Sequence, residues 1–128
     1  MTIRPWTSRD ADEVQSLLSL FSADARVTNE SAPTFVAEAD GRVVGMVTLC
    51  FLETLTGRKA YVDHLAVLPE ARRAGVGRAL MEHAIEQARA AGASRIDLTA
   101  RADKEAGRAL YRSLGFEQRA TGLFRLSF

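Results

Sequence analysis

The sequence predicts a mixed α/β (α+β) domain in which seven strands form one mostly antiparallel sheet flanked by helices. Three observations carry that expectation. Asp40-Gly41, between the apolar runs Phe35 to Ala39 and Val43 to Phe51, is a tight-hairpin signal and gives antiparallel neighbours. Tyr61 to Leu68, a helical stretch from about Gly75 to Ala91, and the alternating Arg95 to Ala100 form a strand–helix–strand unit, a connection expected to be parallel and right-handed. A length of 128 residues, with 47% hydrophobic and 26% charged content, fits one domain over 1–128 with a single core.

Residues 2 to 6 predict a short first strand that Pro5 stops. Thr7-Ser8-Arg9-Asp10 is a variant capping box, with an acid three residues after the cap. Ala11, Val14, Leu17, Leu18 and Phe21 then recur at the spacing of a core-facing helix. Ser22 to Thr34 is polar and aperiodic, which reads as a loop. The second and third strands flank Asp40-Gly41, and Cys50 near the end of the third reads as a small strand residue. Glu53 to Ala60 is expected to be a connecting loop centred on Gly57. After the fourth strand, Val76, Leu80, Ala84 and Ala88 line one stripe of a helix that Gly92 is placed to close. Asp103 is expected to cap a last helix carrying Leu110, Tyr111 and Leu114, which stops at Gly115. Phe116 to Ala120 and Leu123 to Phe128 are the two final predicted strands.

Charge and composition narrow the function. A net charge of +1, from 17 basic and 16 acidic residues, implies no general attraction to nucleic acid or to a membrane surface. The single Cys50 forms no intramolecular disulfide and suits a reducing compartment. The N-terminus MTIRPWTSRD has no apolar secretory core, and no run approaches the ~18 apolar residues of a membrane span. The expectation is a cytoplasmic enzyme or binding module.

The loop between the fourth strand and its helix is the most informative stretch. It holds Arg72-x-x-Gly75-x-Gly77, with Arg73 and Arg78 beside it. Glycines let backbone N–H groups approach a bulky anion, and the following helix adds unpaired donors and a partial positive charge. Arginine's planar fork also suits phosphate. A pyrophosphate cradle fits these features. No Gly-Lys pair is present for a Walker loop, and Gly75-Val76-Gly77 lacks the third glycine of a dinucleotide fingerprint.

Arg72-x-x-Gly75-x-Gly77 after a strand ending Leu65-Ala66-Val67 resembles the acetyl-CoA-binding motif of the GNAT superfamily of N-acetyltransferases. Leu110-Tyr111-Arg112-Ser113-Leu114-Gly115-Phe116 resembles the same superfamily's late helix-to-strand signature, and the pattern of elements fits nearly the whole chain. The resemblance implies that strands 4 and 5 splay apart to open a cleft for acetyl-CoA and an acceptor. It places the pantetheine arm along Leu65, Ala66 and Val67, and the pyrophosphate within Arg72, Arg73, Ala74, Gly75, Val76, Gly77 and Arg78. It implies acetyl transfer to the primary amine of a small molecule by direct attack in a ternary complex. A peptide acceptor and a non-catalytic acyl-CoA sensor are the alternatives. A homodimer through the C-terminal strands is a further expectation from the fold.

The chemistry asks for few groups. An aliphatic amine with a pKa near ~10.4 is only about 0.04% neutral at pH 7, so a base or a pocket favouring the neutral amine is needed. Strict alternation puts Tyr61, Asp63, Leu65 and Val67 on one face of the fourth strand, with Val62, His64, Ala66 and Leu68 on the other. The acceptor-facing set of GNAT-like enzymes looks like the Tyr61 and Asp63 set, which makes both candidates for binding the amine. Asp63 is also a candidate to deprotonate it, directly or through water, and His64 is the rival base. Tyr111 resembles the family tyrosine that gives a proton to the CoA thiolate. The family's asparagine seven residues before that tyrosine is Lys104 here.

Overall fold

The computed structural model describes residues 1–128. In chain order the elements are β1 (Thr2–Pro5), α1 (Ala11–Leu18), β2 (Thr34–Ala39), β3 (Arg42–Thr54), β4 (Gly57–Val67), α2 (Val76–Ala90), β5 (Ile96–Asp97) and α3 (Glu105–Ser113). The five strands form one sheet in the order β1-β2-β3-β4-β5. Only the β4–β5 pair is parallel.

Each face of the sheet is covered by a helix whose apolar stripe fits it. Val14, Leu17 and Leu18 of α1 bury with Val36, Met46 and Ala66 on one face. Val76, Leu80, Met81, Ala84 and Ala88 of α2 bury with Ala37, Val47, Leu49, Ala60 and Val62 on the other. Burying a side chain such as Leu80 or Met81 contributes about 1.5–3 kcal/mol. α2 can approach so closely because β3 carries Gly45 at the crossing. A Cβ there would lie 2.9 Å from Leu80 Cδ1 and 3.1 Å from the Ala66 carbonyl oxygen.

The N-terminus is fastened by charge. Asp10 is buried and accepts from the Thr7 backbone N–H at 2.8 Å, as the capping box predicts. It also takes both ends of the Arg4 guanidinium, at 2.9 and 3.0 Å, while Arg4 reaches Glu38 at 3.0 Å. These bonds from Arg4 hold the Asp10 carboxyl below the usual carboxylate range.

Four expectations need correction. Glu53 to Ala60 is not a loop: the β3–β4 ladder runs to Thr54↔Gly57, leaving only Leu55 and Thr56 to turn. The rungs are held by the Glu53–Arg58 ion pair, by Arg58 over the Phe51 ring, and by Thr54 Oγ1 donating to the Gly57 carbonyl. Arg95 to Ala100 contributes only Ile96 and Asp97 to the sheet. Phe116 to Ala120 and Leu123 to Phe128 lie outside the sheet, so it has five strands rather than seven. β5, two residues long, offers no ladder for them to join, and Phe124 and Phe128 stand exposed. Phe21 is not a core residue of α1. That helix ends at Leu18, and Phe21 lies half exposed beyond it.

β4 carries the most consequential departure. Met46 pairs with Ala66 but Thr48 pairs with Asp63, so His64 and Leu65 together face the one residue Val47. This is a β-bulge, and His64 occupies its left-handed position with φ +52°. The extra residue reverses the alternation beyond it. Leu65 and Val67 therefore join Val62 against the α2 core, rather than sharing a face with Tyr61 and Asp63.

Candidate active site

β4 and β5 pair only at Ala60↔Ile96 and Tyr61↔Asp97. From Val62 onward β4 has no neighbour on that side, so the strands part as expected and leave an open edge running toward the turn before α2. At the fork the Tyr61 hydroxyl meets Thr99 Oγ1 at 3.2 Å, tying the two chains together where they diverge.

At the far end of this edge the chain turns through two left-handed residues, Arg73 (φ +68°) and Gly75 (φ +80°), into α2. No side chain caps the helix at Gly75. The backbone N–H groups of Arg73, Ala74, Gly75, Val76, Gly77 and Arg78 donate to nothing in the protein; the first helical bond is Ala79 N–H to the Gly75 carbonyl at 3.0 Å. A Cβ at Gly75 would meet no atom within 4 Å. Gly75 therefore answers to backbone conformation, not to crowding from the protein. Unpaired amides at a helix N-terminus are the donor set a diphosphate needs. The arginines divide their work. Arg72 Nε donates to the Val67 carbonyl at 3.2 Å, Arg78 reaches Ser113 and lies 4.0 Å from Glu82, and Arg73 has no protein partner.

Tyr111 is carried by α3 (Glu105–Ser113). That helix closes with Gly115 at φ +96° and with Phe116 N–H donating to the Tyr111 carbonyl at 3.0 Å. In such a closure the residue after the glycine packs on the residue five before it, and the Phe116 and Tyr111 rings meet edge-on at 6.0 Å. The Leu110-to-Phe116 motif is thus a device that orients a tyrosine. Leu110 lies against Gly77, where a Cβ would stand 3.6 Å from Leu110 Cδ2, and this seats α3 beside the turn. Tyr111 is half-buried, and burial pushes its phenol above the ordinary value of 10.0, so it carries its proton at neutral pH. Tyr61 and Tyr111 both line a cleft of about 1360 Å³ between β5, the end of α2, α3 and the C-terminal segment.

Tyr61 and Asp63, the residues the sequence offers for binding an acceptor, lie on the α1 face of β4. Strand pairing puts Asp63 beside Thr48 and Tyr61 beside Cys50 on that face. Thr48 is buried and hydrogen-bonded to Thr34 at 2.9 Å. Burial first, and Asp63 second, push the Cys50 thiol up, which leaves it neutral and no nucleophile. His83 is on the opposite face, edge-on to Phe35 at 4.6 Å, and offers Cys50 no base. His64 is not opposed to Asp63, as alternation predicts. Its Nδ1 lies 3.4 Å from Asp63 Oδ2, and its backbone N–H donates to Asp63 Oδ1 at 3.0 Å. The Phe21 ring meets the His64 ring edge-on at 5.3 Å. Gln15 holds the loop after α1 in place through the Ala25 carbonyl at 2.6 Å and the Val27 N–H at 3.1 Å. Thr99 and Phe21 escape sequence reasoning, Thr99 because it follows a strand only two residues long. Phe21 continues the apolar spacing of α1 past the point where the helix stops.

Comparison with known proteins decides the family. The sequence profile of the Acetyltransferase (GNAT) family matches residues 2–116. The chain belongs to the GNAT family. Among GNAT relatives it is 34% identical over 96 residues to N-acetyltransferase family 8 member 3 of Rattus norvegicus, covering 73% of this chain and 41% of that protein. It is 42% identical over 60 residues to the [ribosomal protein bS18]-alanine N-acetyltransferase of Escherichia coli K12, covering 47% of this chain and 40% of that protein. The chain thus spans about two fifths of the length of these relatives. The crystal structure of a ribosomal-protein-alanine N-acetyltransferase from Brucella melitensis biovar Abortus 2308 superposes with TM-score 0.83 at 27% identity, over all of both chains.

Proposed function

We propose that the protein is an N-acetyltransferase that moves acetyl from acetyl-CoA to the primary amine of a small molecule, by direct attack in a ternary complex. The observation that carries this reading is the row of unpaired amides from Arg73 to Arg78, set at the end of an open strand edge. Those amides and Arg73 would hold the diphosphate. The Leu65-Ala66-Val67 edge would hold the pantetheine arm, with Arg72 and Arg78 supporting the turn from behind. The thioester supplies an acyl group that is already activated, so positioning contributes much of the rate. At the acceptor end Tyr61 and Asp63 would bind the amine, and Asp63 would assist the loss of its proton. Tyr111 delivers its phenolic proton to the departing sulfur.

Two contacts beside Asp63 support a small acceptor, Phe21 packed on His64 and the Tyr61–Thr99 bond, since each brings a further chain segment up to β4. A peptide α-amine is the second reading, favoured by the similarity to the bS18-alanine enzyme.

The test is release of free thiol from acetyl-CoA with small primary amines, an aminoglycoside and an alanine-initiated peptide. Turnover of a small amine is expected. Tyr111→Phe should lower kcat about 100-fold or more while CoA affinity by calorimetry stays within about twofold. CoA binding without turnover of any amine would leave a sensor. No CoA binding at millimolar concentration would remove the cofactor assignment altogether.

A further inference from the structure

We propose that His64 is the catalytic residue that takes the proton from the acceptor amine, with Asp63 as the carboxylate that orients it. This rests on the acetyltransferase reading above and names a base for it. The two residues are consecutive in a strand, where side chains normally point to opposite faces. The bulge removes that obstacle. With His64 at φ +52°, its ring turns back toward Asp63, and Asp63 engages it twice: Oδ1 accepts the His64 backbone N–H at 3.0 Å, and Oδ2 lies 3.4 Å from Nδ1. A non-glycine residue in this backbone region is uncommon. The hydrogen bond that the Asp63 carboxylate accepts from the His64 N–H helps to hold it there.

With a proton on Nδ1, the ring nitrogen 3.4 Å from Asp63 Oδ2, the Nε2 lone pair would be the one left to accept. A carboxylate behind Nδ1 holds the tautomer and stabilises the imidazolium that forms, as the aspartate of a hydrolase triad does. Phe21 fixes the ring from the other side, edge-on at 5.3 Å. The groups facing the pair are few. Asp63 is the carboxylate at ion-pair distance, Cys50 on β3 faces Asp63 with a thiol kept neutral by burial, and Phe21 from the loop after α1 carries no charge. His64 also directly precedes Leu65, where the open edge proposed for pantetheine begins.

The proton balance is explicit. One N–H bond of the substrate ammonium breaks and an Nε2–H bond forms, giving a neutral amine and an imidazolium paired with Asp63. The amine nitrogen bonds to the acetyl carbon as the carbon–sulfur bond breaks, and its second proton leaves to water. The Tyr111 O–H proton goes to sulfur, water reprotonates the phenolate, and the imidazolium returns its proton to solvent.

The experiment compares wild type with His64→Gln, Asp63→Asn and the double variant. The acceptor is whichever amine of the thiol-release panel the wild type turns over, and CoA binding by calorimetry is the folding control. His64→Gln should lower kcat about 100- to 10,000-fold, flatten the ascending limb of the pH–rate profile, and leave CoA affinity within about twofold. Asp63→Asn should cost less. The double variant should resemble His64→Gln alone, because the pair acts as a unit. If His64→Gln keeps the ascending limb and more than a tenth of kcat, the proposal is overturned while the acetyltransferase reading survives. If Asp63→Asn is the more damaging change and abolishes the limb, Asp63 is the base and the assignment is wrong. A wild type that turns over no amine overturns both.

Discussion

Gly45 shows how one missing carbon sets the sheet-to-helix distance. A Cβ at that position would lie 2.9 Å from Leu80 Cδ1, 3.0 Å from Val76 Cγ1 and 3.1 Å from a main-chain oxygen that has no room to move. Gly45→Ala is expected to destabilise by about 1–3 kcal/mol, and Gly45→Val by more, as overpacking forces α2 outward. Val76 opens the helix whose amides form the turn, so CoA affinity should fall together with the thermal midpoint. A midpoint unchanged within about 1 °C in Gly45→Val would show that α2 has slack. At this scale the sequence located the turn at Gly75 and the helix closure around Tyr111, and it named His64 as a rival base but set its side chain on the face opposite Asp63. Gly75 lies in a motif with a chemical purpose and Tyr111 in a helix-closing pattern, whereas a bulge arises from register between two strands and leaves no mark in one strand's own residues.

At the scale of elements, β1 and α1 are joined by the Arg4, Asp10 and Glu38 network, and its response to acid follows from Asp10. Arg4's hydrogen bonds depress that carboxyl in the folded state. A depressed carboxylate contributes stability that is present above its unfolded value near ~3.9 and is lost as pH falls through the lower folded value. Wild type should therefore lose stability on acidification below about pH 4. Asp10→Asn should be less stable at pH 7 by about 1.5–3 kcal/mol and should show a shallower acid limb in chemical denaturation. Equal acid limbs in the two proteins would mean the pair has no net effect on folding. Periodicity located α1, α2 and α3, because a helix declares its buried stripe within a few turns. It mistook the β3–β4 turn for a loop, because Glu53, Arg58 and Gly57 look like solvent residues until the strands are paired across the turn. The late strands were over-read, since alternating apolar residues such as Leu126 and Phe128 qualify by pattern and yet lie exposed.

For the whole molecule, the site proposed for the diphosphate joins the end of β4, the start of α2 and, through Gly77 against Leu110, α3. A ligand bridging three elements resists unfolding of all of them. CoA at 100 times its dissociation constant should add about 2.7 kcal/mol, visible as a rise of roughly 10 °C in the midpoint. Arg73→Ala, which removes the one turn arginine without a protein partner, should shrink the rise without abolishing it, since main-chain amides carry most of the binding. A ligand effect lost completely in that variant would shift the weight from backbone to side chain. The supernumerary residue in β4 has a consequence at this scale too. Excising His64 would let β3 and β4 zip without interruption, and because only the supernumerary residue goes, Thr48 would still face Asp63 and Met46 would still face Ala66, with Ala60, Val62, Leu65 and Val67 kept beneath α2. Pairing the full-length strand without a bulge would instead rotate one half of it by half a turn, and either Ala60 and Val62 would surface or Tyr61 and Asp63 would be driven beneath α2. The bulge thus lets β4 carry one residue more than its ladder needs without turning its core face outward.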